Sequence, residues 1–269
     1  HYLLALVVAV SKEARKHYDV EVARANRENT AMPSSKFVDN KFAIQLEANQ
    51  QLCDFISTQK QTWDDDIEFV RKLYSQIVQS RIYTDYMSSD DSSYEADREL
   101  WRKLYKTFIM ENEELDALLE EKSLYWNDDK EIVDTFVLKT IKRFDPANDD
   151  KQELLPEYKD DEDKDFARKL FRSTILNADK YQHYMSETSR NWDFSRLAYM
   201  DVVIMQIAIA EMLTFANIPI NVTINEYVDL AKVYSTPKSA GYINGMLDTI
   251  ARHLINTGVL LKPISDNKK

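Results

Sequence analysis

Residues 196–254 read RLAYMDVVIMQIAIAEMLTFANIPINVTINEYVDLAKVYSTPKSAGYINGMLDTIARHL. Leu197, Val203, Ile204, Ile207, Ala208, Met212 and Leu213 recur at helical spacing over about 195–215. Their belt is too broad for a surface stripe, so this helix belongs at the centre of a bundle. Asp201, Gln206 and Glu211 interrupt the belt, and Asn217-Ile218-Pro219 ends it. Thr223, with Glu226 three residues on, has the spacing of a capping box and predicts a second helix over Ile224–Tyr234. Ser235–Lys238 is a turn, and Ser239 opens a last helix. Gly241 and Gly245, four apart, leave a small-residue face on it that another helix or a ligand can approach closely. Three helices in 59 residues, with no alternating stretch, predict an all-α fold.

The rest of the chain agrees. Its three glycines are Gly241, Gly245 and Gly258, so the first 240 residues contain none. Tight sheet turns, phosphate-cradling loops and dinucleotide folds all need glycine where the backbone bends or meets a ligand. Their glycines are missing here. The single cysteine, Cys53, cannot form an internal disulfide, and its place in LEANQQLCDFI predicts a buried small hydrophobe. The opening HYLLALVVAV is about ten apolar residues, short of the roughly twenty that span a bilayer. It lacks the basic flank and cleavage site of a signal peptide, so it reads as a core helix and the protein as cytoplasmic. A chain that is already apolar at His1 leads us to expect a natural N-terminus further upstream.

The net charge of −11 argues against coating nucleic acid by bulk electrostatics. From Asp165 onward, however, 12 Lys and Arg face 10 Asp and Glu, a local balance of +2, which leaves −13 for the first 164 residues. A local RNA site in the C-terminal part fits that distribution. His1, His17, His183 and His253 are scattered without a metal-ligand spacing, and no serine sits between glycines. The sequence offers no catalytic residue, no metal site and no cofactor site. The acidic runs Asp64–Asp66 and Asp160–Asp163 suit solvated helix starts.

Upstream, apolar periodicity predicts a helix over residues 1–30 and a break at Met32-Pro33. Further helices are expected over about 37–56, 64–82, 95–110, 113–121 and 130–143. Residues 145–164, densely acidic with two prolines, predict a loop or partly disordered linker. The expected organisation is a helical N-terminal region at 1–144, this linker, a bundle at 165–258 and a flexible tail at 259–269. Arg102–Ile109 also resembles Arg168–Ile175 at an offset of 66, which places Trp126 on Trp192 and Val137, Leu138 and Ile141 on Val203, Ile204 and Ile207. The match is either a helix–loop–helix unit used twice or the chance likeness of amphipathic helices.

Taken in order, Asp201-x-x-Ile204, Ile207-Ala208, Glu211, Ile218-Pro219, Ile224-Asn225-Glu226, Asp229-Leu230-Ala231-Lys232 and Ser239–Asp248 resemble the C-terminal signature of the NusB family, over about 90 residues. The resemblance implies a NusB-like helical bundle carrying additional N-terminal helices. It implies a transcription antitermination factor that acts on the elongation complex without catalysis or cofactor, pairs with the ribosomal protein NusE and binds boxA-type RNA. On this resemblance Lys238, Ser239, Tyr242 and Asn244 are the expected RNA contacts. Tyr242 would either stack on an unpaired base or pack its ring between helices. Lys238 stands where the family often has an acidic residue, a departure that favours phosphate contact. Glu211, Asn225 and Glu226 are the expected partner contacts, with a structural ion pair the alternative for Glu211 and capping for Glu226. The family also opens with an arginine-rich helix, whereas residues 1–20 hold only Lys12, Arg15 and Lys16 as Lys or Arg. Either that helix precedes His1, which we expect, or this long variant binds RNA weakly. Two other readings are an acidic protein-interaction scaffold and a NusB-like module of an RNA methyltransferase. The second would need a glycine-rich cofactor domain beyond Lys269.

Overall fold

The computed structural model describes residues 1–188 and 197–262, and every regular element among them is helical. The chain forms two compact units, His1–Pro156 and Glu157–Lys269, each with its own apolar core.

Unit 1 is built on α1 (Tyr2–Glu28), whose first three turns bury Leu3, Leu4, Leu6, Val7, Val8 and Val10. That burial on nearly all sides is why the opening is apolar without being a membrane span. No helix among the described residues is long and apolar enough to cross a membrane. Asn29 stops α1 in the left-handed region (φ 52°), a conformation asparagine tolerates better than most residues.

The single helix expected over 37–56 is in fact two, α2 (Lys41–Ala48) and α3 (Gln50–Thr58). The break is Asn49, whose side chain accepts from the Leu52 N–H at 3.0 Å and so starts a new helix on its own terms. The new phase buries Leu52 and turns Cys53 outward, so the cysteine is exposed rather than buried. α4 (Ile67–Val78), α5 (Arg81–Ser88), α6 (Tyr94–Phe108), α7 (Glu113–Lys122) and α8 (Trp126–Arg143) complete the bundle. Between α6 and α8 the Tyr105 hydroxyl donates to Asp134 at 2.6 Å, and Lys130 donates to the other oxygen at 3.0 Å.

The acidic stretch departs from a free linker. Residues 146–151 form a 3-10 segment, and Gln152 and Leu154 are buried. Gln45 donates to the carbonyls of Asp145 and Asp149, and Asn49 to that of Gln152, so the segment is fastened to α2 and α3. Backbone carbonyls, which composition does not count, supply the attachment. The second half of the stretch begins α9 (Asp161–Leu176), with Asp160 as N-cap and three acidic side chains in the first turn. That location suits carboxylates on dipole grounds.

Unit 2 consists of α9, α10 (Ala178–Thr188), α11 (Tyr199–Thr214), α12 (Ile220–Tyr234) and α13 (Ser239–Asn256). α11 packs against all four others, as its broad apolar belt required. The resemblance at offset 66 holds for helix order: α7, shifted by 66, falls on α10 almost end to end. It does not hold for packing. Tyr105 is fully buried, whereas its counterpart Phe171 is 67% exposed. Trp192, the other half of the tryptophan pair, lies outside the described residues.

Candidate nucleic-acid interface

Three polar residues on the core helix α11 organise unit 2, and each fastens a different element. Asp201 accepts from Ser235 Oγ at 2.5 Å and Ser239 Oγ at 3.0 Å, which pins the turn between α12 and α13. Gln206 reaches the Ala178 carbonyl at the start of α10, at 3.4 Å. Glu211 accepts from Thr223 Oγ1 at 2.6 Å and from the Tyr227 hydroxyl at 3.0 Å, both on α12. All three are buried, and the bonds offset what would otherwise be a costly desolvation. Burial, and then the Glu211 carboxylate, push the Tyr227 phenol far above the usual tyrosine range.

This arrangement overturns the capping box. α12 starts at Ile220, with Pro219 (φ −64°) as its N-cap, because proline supplies a helix-compatible φ where a missing N–H does no harm. Thr223 therefore lies a turn inside the helix and spends its hydroxyl on Glu211. Glu211, expected on a partner-facing surface or in an ion pair, is buried and accepts two hydroxyls, with Lys262 in the field of its carboxylate. Asn225 and Glu226 are exposed on α12, where an outward stripe also carries Val222, Asp229 and Val233.

The four expected RNA contacts separate in the same way. Lys238 and Asn244 are exposed at the start of α13. Ser239 is 3% exposed, with its hydroxyl turned inward to Asp201, so its side chain supports the surface from below. Tyr242 is half-buried, with its ring packed against the core of unit 2. Burial, with Asp201 nearby, raises its phenol above the usual range. The packing alternative thus accounts for much of the Tyr242 ring. Gly241 and Gly245 are exposed, and a Cβ on either would meet nothing within 4 Å. Among the described residues no helix uses their small face.

The result is an open strip along the outward side of α13: a cation at Lys238, bare backbone at Gly241 and Gly245, and an amide at Asn244. Such a strip can admit a phosphate backbone and offer hydrogen bonds to a base edge. Sequence reading missed Ser235 and Thr236, whose hydroxyls join Ser239 in the knot over Asp201. The Ser-Thr-Pro-Lys-Ser run was the available signal. The Lys and Arg side chains of residues 1–20 are each paired with a carboxylate. Lys12 and Arg15 pair with Glu47 at 3.8 and 3.1 Å, and Lys16 pairs with Glu13 at 3.6 Å. Among the described residues no group of three His, Cys, Asp or Glu side chains is placed to hold a metal ion.

A NusB family profile matches residues 132–252, from within α8 to within α13. The chain is 40% identical over 99 residues to the transcription antitermination protein NusB of Chloroherpeton thalassium, covering 37% of this chain and 47% of that one. It is 47% identical over 81 residues to NusB of Natranaerobius thermophilus, covering 30% of this chain and 58% of that one. It thus spans about half the length of these two relatives. The match to NusB of Salinibacter ruber is longer, 31% identity over 132 residues, 47% of this chain and 82% of the relative. Among solved structures, T. maritima NusB aligns at 32% identity over 44% of this chain and 82% of its own, with a TM-score of 0.34. With 82% of the Salinibacter relative matched and the profile running from α8 into α13, the chain belongs to the NusB family.

Proposed function

We propose that this protein is a transcription antitermination factor that binds boxA-type RNA together with the ribosomal protein NusE. It would act on the elongation complex in the cytoplasm, with no chemistry of its own. The observation that carries the reading is the pairing of family membership with the open strip on α13, where Lys238 and Asn244 project beside two uncovered glycines. In this reading Lys238 contacts phosphate and Asn244 a base edge. Tyr242 contributes whatever part of its ring stays accessible, and Ser239 acts through the backbone it holds. NusE would meet the exposed stripe of α12 at Asn225 and Glu226, with Val222 and Val233 as apolar contacts.

The test is a fluorescence-anisotropy titration of a labelled boxA-type RNA with the full chain, with and without NusE, at several salt concentrations. Salt-sensitive binding that weakens in Lys238→Ala and Asn244→Ala is expected. Absence of salt-sensitive binding with NusE present, or binding unmoved by either substitution, would reject the assignment.

A further inference from the structure

We propose that Asp201, buried in α11, is a positioning residue for the RNA surface: it sets the direction in which Lys238 and the first turn of α13 are presented. The inference rests on the RNA-binding reading above and adds a residue that would not itself touch RNA.

The geometry is specific. Ser235 ends α12 as its C-cap, and Ser239 is the first residue of α13, so Thr236, Pro237 and Lys238 form the whole connection. Both flanking serines donate to the same carboxylate, Ser235 to Oδ1 at 2.5 Å and Ser239 to Oδ2 at 3.0 Å. Ser235 Oγ also reaches Ser239 Oγ at 3.0 Å, and Thr236 Oγ1 lies 2.8 Å from the same oxygen. One buried anion therefore closes a three-residue loop from beneath. Lys238, the loop residue next to α13, is exposed, and its side chain makes no capping hydrogen bond to that helix. Its direction is set by the backbone on either side, and that backbone is held through Asp201. The Tyr242 phenol, one turn on, also lies in the field of this carboxylate.

The sign of the effect separates positioning from simple electrostatics. Asp201 carries negative charge under a surface read as contacting phosphate. If charge were all that mattered, its removal would tighten RNA binding. A positioning role predicts the opposite, because a loosened loop must be ordered again on binding.

The experiment titrates labelled boxA-type RNA into the full chain carrying Asp201→Ala, Asp201→Asn, Lys238→Ala, Ser235→Ala and the Asp201→Ala/Lys238→Ala pair, with melting followed by circular dichroism. Asp201→Ala should weaken binding by about tenfold, the effect of roughly one lost charge-assisted contact. Its salt dependence should fall to that of Lys238→Ala, a change of about 0.7 in the slope against log salt for a single strand. The double variant should bind like Asp201→Ala alone, and Asp201→Asn, which keeps one of the two acceptor oxygens, should lose less affinity than Asp201→Ala. Where Asp201→Ala melts too low to assay, Ser235→Ala takes its place and should weaken binding severalfold without loss of fold. Binding by Asp201→Ala or its substitute as tight as wild type, or losses that multiply with Lys238→Ala, would overturn the proposal. A wild-type chain that binds no RNA would instead reject the function itself.

Discussion

Thr223 donates its hydroxyl hydrogen to Glu211 across 2.6 Å, and the bond joins the first turn of α12 to the core helix α11. The same carboxylate receives the Tyr227 hydroxyl, so one buried acid holds α12 at two points a turn apart. Glu211→Ala should therefore destabilise the protein by about 2–4 kcal/mol, since it removes a charged acceptor from two buried donors and leaves a void. Glu211→Gln should cost less, because an amide still accepts one bond. Urea melts of both variants would check the order. Any NusE-binding defect of Glu211→Ala should scale with this loss of fold, whereas Asn225→Ala and Glu226→Ala should alter stability by less than about 0.5 kcal/mol.

Tyr227 gives the same contact a pH signature. Burial and the adjacent Glu211 raise its folded pKa above the ordinary value of 10. A group whose pKa is raised on folding contributes stability that is complete below its unfolded pKa and is lost as pH rises toward the folded value. The stability difference between wild type and Tyr227→Phe should then be constant from pH 7 to 9. Above about pH 10 it should shrink by up to about 1.4 kcal/mol per pH unit. Denaturant melts of the two proteins at pH 7, 9 and 10.5 would measure it, and a gap that widens with pH would contradict the buried-phenol account.

Asn49 should be among the least replaceable polar residues of unit 1. It caps α3 through the Leu52 N–H and donates to the Gln152 carbonyl at 2.7 Å, with its side chain fully enclosed. Asn49→Ala loses both contacts and should cost roughly 2–3 kcal/mol. Asn49→Asp keeps the cap but faces a carbonyl with a carboxylate, and should recover only part of that. Fluorescence of the buried Trp63 and Trp101 would report the unfolding of this unit.

Asn49 also shows where sequence reading stopped. Helices were legible in part: α1 and α7 match their expected spans to within a residue or two, whereas the single helix expected over 64–82 ends at Val78 and α5 follows from Arg81. The division of α2 from α3 was not legible, because Asn49 makes it through a side-chain cap that apolar periodicity does not register. Pro219 misled in the other direction. Read as a terminator, it starts the next helix, and that shift moved Thr223 from cap to interior. At the site, the residue types near the start of α13 were legible from the family pattern. Which of them face outward was not, since Ser239 turns inward to Asp201 and Tyr242 packs its ring against the core of unit 2. A buried acid on another helix leaves no mark in the local spacing.

Gly241 and Gly245 offer the clearest separation of stability from function. Both sit inside α13, where glycine costs about 0.5–1 kcal/mol relative to alanine, and a Cβ at either meets no atom within 4 Å. Among the described residues of unit 2 nothing accounts for glycine at these positions. The double substitution Gly241→Ala/Gly245→Ala should raise the melting temperature by several degrees, from about 1–2 kcal/mol of added stability. If the bare strip exists so that a phosphate backbone can lie against α13, the same variant should bind boxA-type RNA several-fold more weakly despite its firmer fold. Thermal melts and anisotropy titrations on one preparation would give both numbers. A stabilised protein with unchanged RNA affinity would mean that no strand lies along this face, and would confine the contact to Lys238 and Asn244.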